Sequence, residues 1–297
     1  MKPGPTRLIR PSLQHCAVAR VLILVHRDGS LHEATYFLRA IAEVWRERGH
    51  EVIEQRSPGA HVPADIAFLH ADVTRVPEDH AAFVRRYPRA VNAGTVDISK
   101  RAISRSLVRR GDAYNGPVIV KTDANCGGMK DGVLLKRSPF RRTVRAVRNR
   151  LPWPLRARLA TDDYRVFQSA RDAPWPVWFN PDLVVERFLP EMRGDLYSLR
   201  TWVFLGDAET NSICYSRSPI VKSHTIIGRE AVPDVPGELR AMRRELGFDF
   251  GKFDYAIVDG RVVLYDANRT PTLGDFPPEQ YLPRVRLLAD GLDSLLR

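Results

Sequence analysis

Between residues 21 and 92, short apolar runs alternate with helical patterns, and this alternation restricts the fold more than any other feature of the chain. Val21-Leu22-Ile23-Leu24-Val25 is the continuous apolar run of a strand covered on both faces. After a turn over His26–Ser30, the residues Ala34, Phe37, Leu38, Ile41, Ala42 and Trp45 recur at helical spacing, and Gly49 stops that helix. Glu51–Glu54, Ile66–His70 and Ala90–Asn92 read as further strands, with a helix over Glu78–Tyr87. Strands alternating with helices imply right-handed crossovers and a parallel sheet, so this is an α/β chain with a first domain at 21–95.

The pattern then changes. Asp97 or Ser99 can cap a helix running to Arg109, with Gly111 as its stop. Val118–Lys121 is a strand, followed by the glycine loop Asn125-Cys126-Gly127-Gly128. Val184–Leu189 is another strand. Leu199–Leu205 pairs with Ile213–Ser216 across Gly206-Asp207, and Phe253–Ile257 pairs with Val262–Asp266 around Asp259-Gly260. Pro278–Leu296 reads as a closing amphipathic helix.

The charge is unevenly placed. The chain carries +11, yet residues 1–20 and 136–158 hold Lys2, Arg7, Arg10, Arg20, Lys136 and eight further arginines with no acid between them. Everything else sums to about neutral. A basic arm at 1–20 and an arginine-rich excursion at 136–158 therefore sit on a near-neutral body. Only Phe140 and Trp153 interleave with the arginines, which argues against single-stranded nucleic acid. An acidic partner, such as an anionic substrate or a phosphorylated carrier, suits the excursion, and so does a solvated lid with no partner. The longest apolar run near the start is too short to span a bilayer and lacks a cleavage site, so neither membrane span nor signal peptide is expected. Cys16, Cys126 and Cys214 are odd in number and widely separated, which suits a reducing, cytoplasmic compartment. The eight histidines show no zinc spacing. His26, Asp28, Ser30 and His32 follow the first strand, where parallel sheets open their ligand crevice.

The sharpest chemical signal is Lys252-Phe253-Asp254 followed by Asp266-Ala267-Asn268. Asp266 and Asn268 share a strand face. A two-residue Asp259-Gly260 turn would set Asp254 opposite Tyr265 and turn the two aspartates to opposite sides. A three-residue turn, Val258-Asp259-Gly260 with Gly260 at positive φ, brings Lys252, Asp254, Asp266 and Asn268 onto one face. Two carboxylates and an amide oxygen are hard ligands suited to Mg²⁺ shared with nucleotide phosphates. Upstream, Lys121 at a strand end and the free N–H groups of the loop at Gly127 and Gly128 could cradle phosphate.

Taken in order, these pieces resemble the ATP-grasp superfamily over roughly residues 21–290: Lys100, Lys121 in Pro-Val-Ile-Val-Lys, the glycine loop, Glu186 in Val-Val-Glu-Arg-Phe-Leu, Asp195, and Asp254 through Asn268. The resemblance implies an N-terminal parallel-sheet domain of the pre-ATP-grasp type. An ATP-grasp fold of two α+β subdomains, at 96–180 and 181–297, follows it. It implies Lys100 and Lys121 on ATP phosphates, Glu186 with the backbone of Arg187 and Leu189 on adenine, and Asp195 on ribose. Asp254, Asp266 and Asn268 would hold Mg²⁺, or Mn²⁺ in its place. Lys252, with Arg200 and Arg217 on adjacent strands, would act at the transferring phosphate. The implied activity is ATP-dependent joining of a carboxylate to an amine or thiol through an acyl phosphate. A small-molecule kinase on the same fold and a nucleotide-binding module without turnover are the alternatives. The acid, the amine and any homo-oligomer are left open.

Overall fold

The computed structural model describes residues 18–134, 139–274 and 276–297. The basic arm up to residue 17 and the start of the arginine-rich excursion at Lys136 and Arg137 lie outside the described residues.

The first sheet is parallel. It contains β1 (Arg20–Val25), β2 (Glu51–Arg56), β3 (Ile66–His70) and β4 (Ala90–Val91) in the order β2-β1-β3-β4, with α1 (Phe37–Glu47) and α2 (Glu78–Val84) as crossovers. The apolar run of β1 is covered on both sides, as its pattern requires. Val21, Ile23 and Val25 pack with Phe37, Leu38, Ile41 and Trp45 of α1, while Leu22 and Leu24 pack with Ala81, Phe83 and Val84 of α2.

Next come α3 (Lys100–Ile103), β5 (Val118–Thr122), α4 (Met129–Leu134), α5 (Pro139–Asn149), β6 (Arg165–Phe167) and β7 (Leu183–Arg187). β6, β5 and β7 form a three-stranded antiparallel sheet. The expected helix to Arg109 is a single turn. Asp123 caps its start, its carbonyl accepting from the Lys100 N–H (2.9 Å) and its carboxylate from the Arg101 N–H (3.0 Å). The chain then straightens at Ser104 and joins the edge of β7, where the Val108 N–H donates to the Val185 carbonyl (2.8 Å). A sheet edge with unpaired backbone groups outcompetes further helix. The arginine-rich excursion includes a helix, α5, that turns part of its charge inward: Arg145 donates to the Gly128 carbonyl (3.1 Å), and Arg148 pairs with Asp182 (2.5 Å).

The third sheet contains β8 (Glu191–Arg193), β9 (Leu196–Leu205), β10 (Ala208–Ser216), β11 (Ile226–Ala231), β12 (Phe250–Val258) and β13 (Arg261–Asn268). Its order is β11-β10-β9-β12-β13, with β8 on β9. The helices α6 (Gly237–Glu245), α7 (Pro278–Ala289) and α8 (Gly291–Leu296) complete the chain. Among the described residues no helix is long and apolar enough to cross a membrane.

The hairpin of β12 and β13 corrects the expected turn. Val258 pairs with Arg261, so the turn is Asp259-Gly260 alone, with φ of 51° and 75°. Two left-handed residues match the twist of the flanking strands, and Asp-Gly suits them. The register is instead shifted inside the strand. Asp254 pairs with Asp266 and Tyr255 with Leu264, which leaves Tyr265 as a bulge.

The parallel sheet shares its core with the rest of the chain. Val203, Leu205, Phe250, Val285, Leu288 and Leu292 join the α1 side of β1 in one apolar cluster. Past β13, Tyr36 bridges Thr272 and the Phe37 N–H donates to the Pro271 carbonyl (2.9 Å). Arg269 is fully buried there, with its guanidinium on the carbonyls of Val73 (2.6 Å) and Thr95.

Candidate active site

The two antiparallel sheets enclose a cleft of about 340 Å³. Its floor comes from β5, β9, β12 and β13, and its rims from residues 187–190 and the β10–β11 loop.

Three lysines and three carboxylates organise its charge. Lys252 pairs with Asp254 (2.8 Å), Lys100 pairs with Asp266, and Lys121 pairs with Glu186 (2.6 Å). Asp254 also accepts from the Thr201 hydroxyl (3.0 Å). Lys252 and Asp266 keep 27% and 28% of their side-chain surface open, so both aspartate pairs can be reached from the cleft. Burial disfavours the charged form of Asp266, but Lys100, Lys252 and Lys121 outweigh it and hold the carboxyl below its ordinary range. Burial likewise opposes charge on Lys100 and Lys252, and Asp266 and Asp254 respectively outweigh it and hold both ammonium groups above theirs.

The bulge at Tyr265 sends Tyr265 and Asp266 to the same side, and both line the cleft. The phenol donates to the Leu189 carbonyl, and the Lys121 ammonium lies 5.5 Å from the centre of its ring. The rim at Arg187–Leu189 is tied back by its own backbone. The Arg187 N–H donates to Ser106 and the Phe188 N–H to Pro117, both at 2.8 Å. Arg187 and Leu189 line the cleft, whereas Glu186 points into the protein, with Oε1 lacking a hydrogen-bond partner among the described residues.

In the glycine loop, Cys126, Gly127 and Gly128 take φ of 45°, 65° and 70°. A Cβ on Gly127 would come within 2.6 Å of the Leu159 carbonyl, so only glycine fits there. Cys126 reaches the cleft, while Gly127 and Gly128 are buried behind it. Burial, with Asp266 and Asp72 nearby, pushes the Cys126 thiol up to about 11. The loop is bolted to the segment that follows β3: the Asn125 N–H donates to the Thr74 hydroxyl (2.9 Å), which donates to Asp131.

Other expected residues lie elsewhere. Arg200 is on β9 outside the cleft, held at 2.8 Å by both oxygens of Glu191, because a buried guanidinium takes the nearest carboxylate fork. Arg217 and Asp195 are exposed and do not line the cleft; Asp195 is at the tip of the β8–β9 turn. Asn268 shares the face of Asp266, but its amide oxygen accepts from the Thr270 N–H (2.9 Å). Around the first crevice, His26 stacks on His80 at 5.5 Å, and Asp28 and His32 are exposed.

Sequence reasoning passed over Lys222 and Tyr164. Lys222 comes from the β10–β11 loop, lines the cleft, and places its ammonium 5.4 Å from the centre of the Tyr164 ring. Burial lowers its pKa despite Asp266 and Asp254 nearby. Neither residue stands in a recognisable motif.

In overall fold the chain is similar to solved ATP-grasp proteins. One is a RimK-domain ATP-grasp protein from Sphaerobacter thermophilus, at 17% identity over 94% of this chain and 100% of that one, with a TM-score of 0.48. Another is D-alanine–D-alanine ligase from Bacillus anthracis, at 12% identity over 94% and 96%, with a TM-score of 0.46. A third is the D-cycloserine synthetase DcsG, at 13% identity over 93% and 100%, with a TM-score of 0.46. No family model and no curated protein matches the chain.

Proposed function

We propose that the chain is an ATP-dependent ligase of ATP-grasp type that joins a carboxylate to an amine. The observation that carries this reading is the opposed pair Asp254 and Asp266 with Lys252, Lys100 and Lys121 around one cleft. In this reading residues 96–180 and 181–297 clasp the nucleotide, and residues 21–95 complete the substrate side.

The donor set fits a divalent ion: two carboxylates with reachable oxygens, and Asn268 on the same strand face if its amide leaves Thr270. Mg²⁺ held by Asp254, Asp266 and Asn268 would neutralise phosphate charge when bound. The lysines are preset for the same work. Lys252 and Lys100 are each held by an aspartate and Lys121 by Glu186, which positions all three ammonium groups for phosphate oxygens, and a divalent ion would take the place of Lys252 and Lys100 at the two aspartates. Lys100 and Lys121 then bind phosphate oxygens, and Lys252 and Lys222 stand where charge moves during transfer. Phosphoryl transfer needs positioning and charge stabilisation more than covalent help, which suits a site without an activated nucleophile. Tyr265 and the rim at Arg187–Leu189 form the base pocket.

The test is Mg²⁺-dependent ADP release screened over amino acids and small carboxylates. An amide product supports the ligase. A stable phosphate ester would make the protein a kinase, and binding without turnover would leave a nucleotide-binding module.

A further inference from the structure

We propose that Asp72, fixed by Tyr36 and Thr270 at the carboxyl end of the parallel sheet, is the seat for the ammonium group of the acceptor, so that the acceptor is a primary amine rather than a thiol or alcohol. This rests on the ligase reading and names the side of the site where the second substrate enters.

Asp72 follows β3 by two residues, at the edge where a parallel sheet opens to ligands. It is half-buried, and both its oxygens are fixed. The Tyr36 phenol donates to Oδ2 at 2.7 Å and the Thr270 hydroxyl to Oδ1 at 2.8 Å. Both donors are neutral, so they orient the carboxylate without discharging it. The carboxylates at the cleft are occupied, Asp254 by Lys252, Asp266 by Lys100 and Glu186 by Lys121, whereas Asp72 lies beyond the residues that line it. Asp72 has no ion-pair partner among the described residues. The nearby Arg269 directs its terminal nitrogens to the carbonyls of Val73 and Thr95 instead.

An independent observation marks the same spot. His70, two residues earlier and 3% exposed, has no hydrogen-bond partner on either ring nitrogen among the described residues, and its ring meets that of Tyr36 edge-on at 4.8 Å. Buried polar atoms without partners are rare, and each calls for a reason such as strain, a catalytic role, or a bound water or ion. Burial keeps this imidazole neutral, so it adds no positive charge to compete with an incoming cation.

The position suits the reaction. The Thr270 hydroxyl also reaches the Asn268 amide oxygen (3.3 Å), so Asp72 is two hydrogen bonds from the strand that carries Asp266. It is near enough to Cys126 in the cleft wall for its charge to be felt by that thiol. Each carboxylate oxygen keeps a free lone pair, and an ammonium supplies several N–H donors with a positive charge. An alcohol or thiol supplies one neutral donor. To react, the seated ammonium gives one proton to the Asp72 carboxylate; the freed amine forms the C–N bond at the acyl-phosphate carbon as the C–O bond to phosphate breaks, and phosphate leaves with the second amine proton.

The experiment measures ADP release with Mg²⁺-ATP over the standard amino acids and small carboxylates, each active amine being compared with its hydroxy analogue, such as alanine with lactate. Amines are expected to support turnover and hydroxy analogues not. Asp72→Asn loses the charge and keeps one hydroxyl donor on its amide oxygen, while the other hydroxyl turns to accept from the amide N–H. It should raise the amine KM about tenfold or more, with the KM for ATP held within about twofold. An unchanged amine KM overturns this proposal alone. ATP binding by calorimetry with no amine-dependent ADP release overturns the ligase reading and the proposal together. If Asp72→Asn no longer binds Mg²⁺-ATP, Tyr36→Phe gives the same reading: the amine KM must rise about threefold with the KM for ATP unchanged.

Discussion

Asp254 and Asp266 stand directly opposite one another across β12 and β13, although the turn joining those strands has only two residues. A regular ladder from that turn would put Tyr265 opposite Asp254. The bulge moves the register on by one and keeps Tyr265 in the cleft beside Asp266.

Deleting Tyr265 would turn the hairpin into a regular ladder in which the two aspartates still face each other. The variant should fold, and its ADP release should still depend on Asp266. Its KM for ATP should rise about tenfold, because the phenol that holds the Leu189 carbonyl is gone. A folded variant with no Mg²⁺-dependent ADP release would show that the bend of the bulge, and not register alone, sets the pair. Asp266→Ala in the full chain should abolish turnover.

Lys121 and Glu186 form a buried pair with side chains 9% and 4% exposed. Lys121→Met should lower stability by about 3 kcal/mol, since Glu186 is left charged and unpaired. The double change Lys121→Met with Glu186→Leu should recover most of that loss in denaturant melts while nucleotide binding stays weak. Recovery of both would remove Lys121 from the phosphate site.

His70 should make the fold sensitive to mild acid. Burial, with Arg269 nearby, pushes its pKa down to about 3. Below its ordinary value of about 6.5 the unfolded chain takes up a proton that the folded chain refuses, so stability falls by about 1.4 kcal/mol per pH unit until the folded value is reached. Asp266, held low, adds its loss only below about pH 4. Urea melts between pH 6.5 and 4.5 should show a shallower slope in His70→Gln than in the parent chain. Equal slopes would refute the assignment.

Cys126 is reachable from the cleft, yet its thiol is pushed up to about 11. Alkylation by iodoacetamide should be slow at neutral pH, quicken as the pH rises, and be blocked by Mg²⁺-ATP. Peptide mass mapping reads the labelled site. Fast labelling at pH 7, indifferent to nucleotide, would place the thiol outside the nucleotide path.

Short-range periodicity made much of this legible. The run Val21–Val25, the helix ending at Gly49 and the Gly206-Asp207 hairpin are written in adjacent residues, and the structure has them where the pattern puts them. The rest depends on distant partners. The helix after Ser99 stops because β7 offers a sheet edge to Val108. Asp-Gly admits turns of either length, and Tyr265 carries no sign that it will be a bulge. Arg200 looks like an anion ligand until β8 brings Glu191 beside it. Lys222 is one lysine in a loop of ordinary composition.

Arg269 sets how this molecule comes apart. Its guanidinium lies in the parallel sheet's territory, while its backbone continues the strand of Asp266, and one apolar cluster runs from β1 to α8 across the same junction. Removing either side would expose that cluster and leave the guanidinium's partners behind. Residues 96–297 expressed alone should therefore fail to fold. Heat should melt the parallel sheet and the β8–β13 sheet in one cooperative step, and limited proteolysis should find no stable half of the chain.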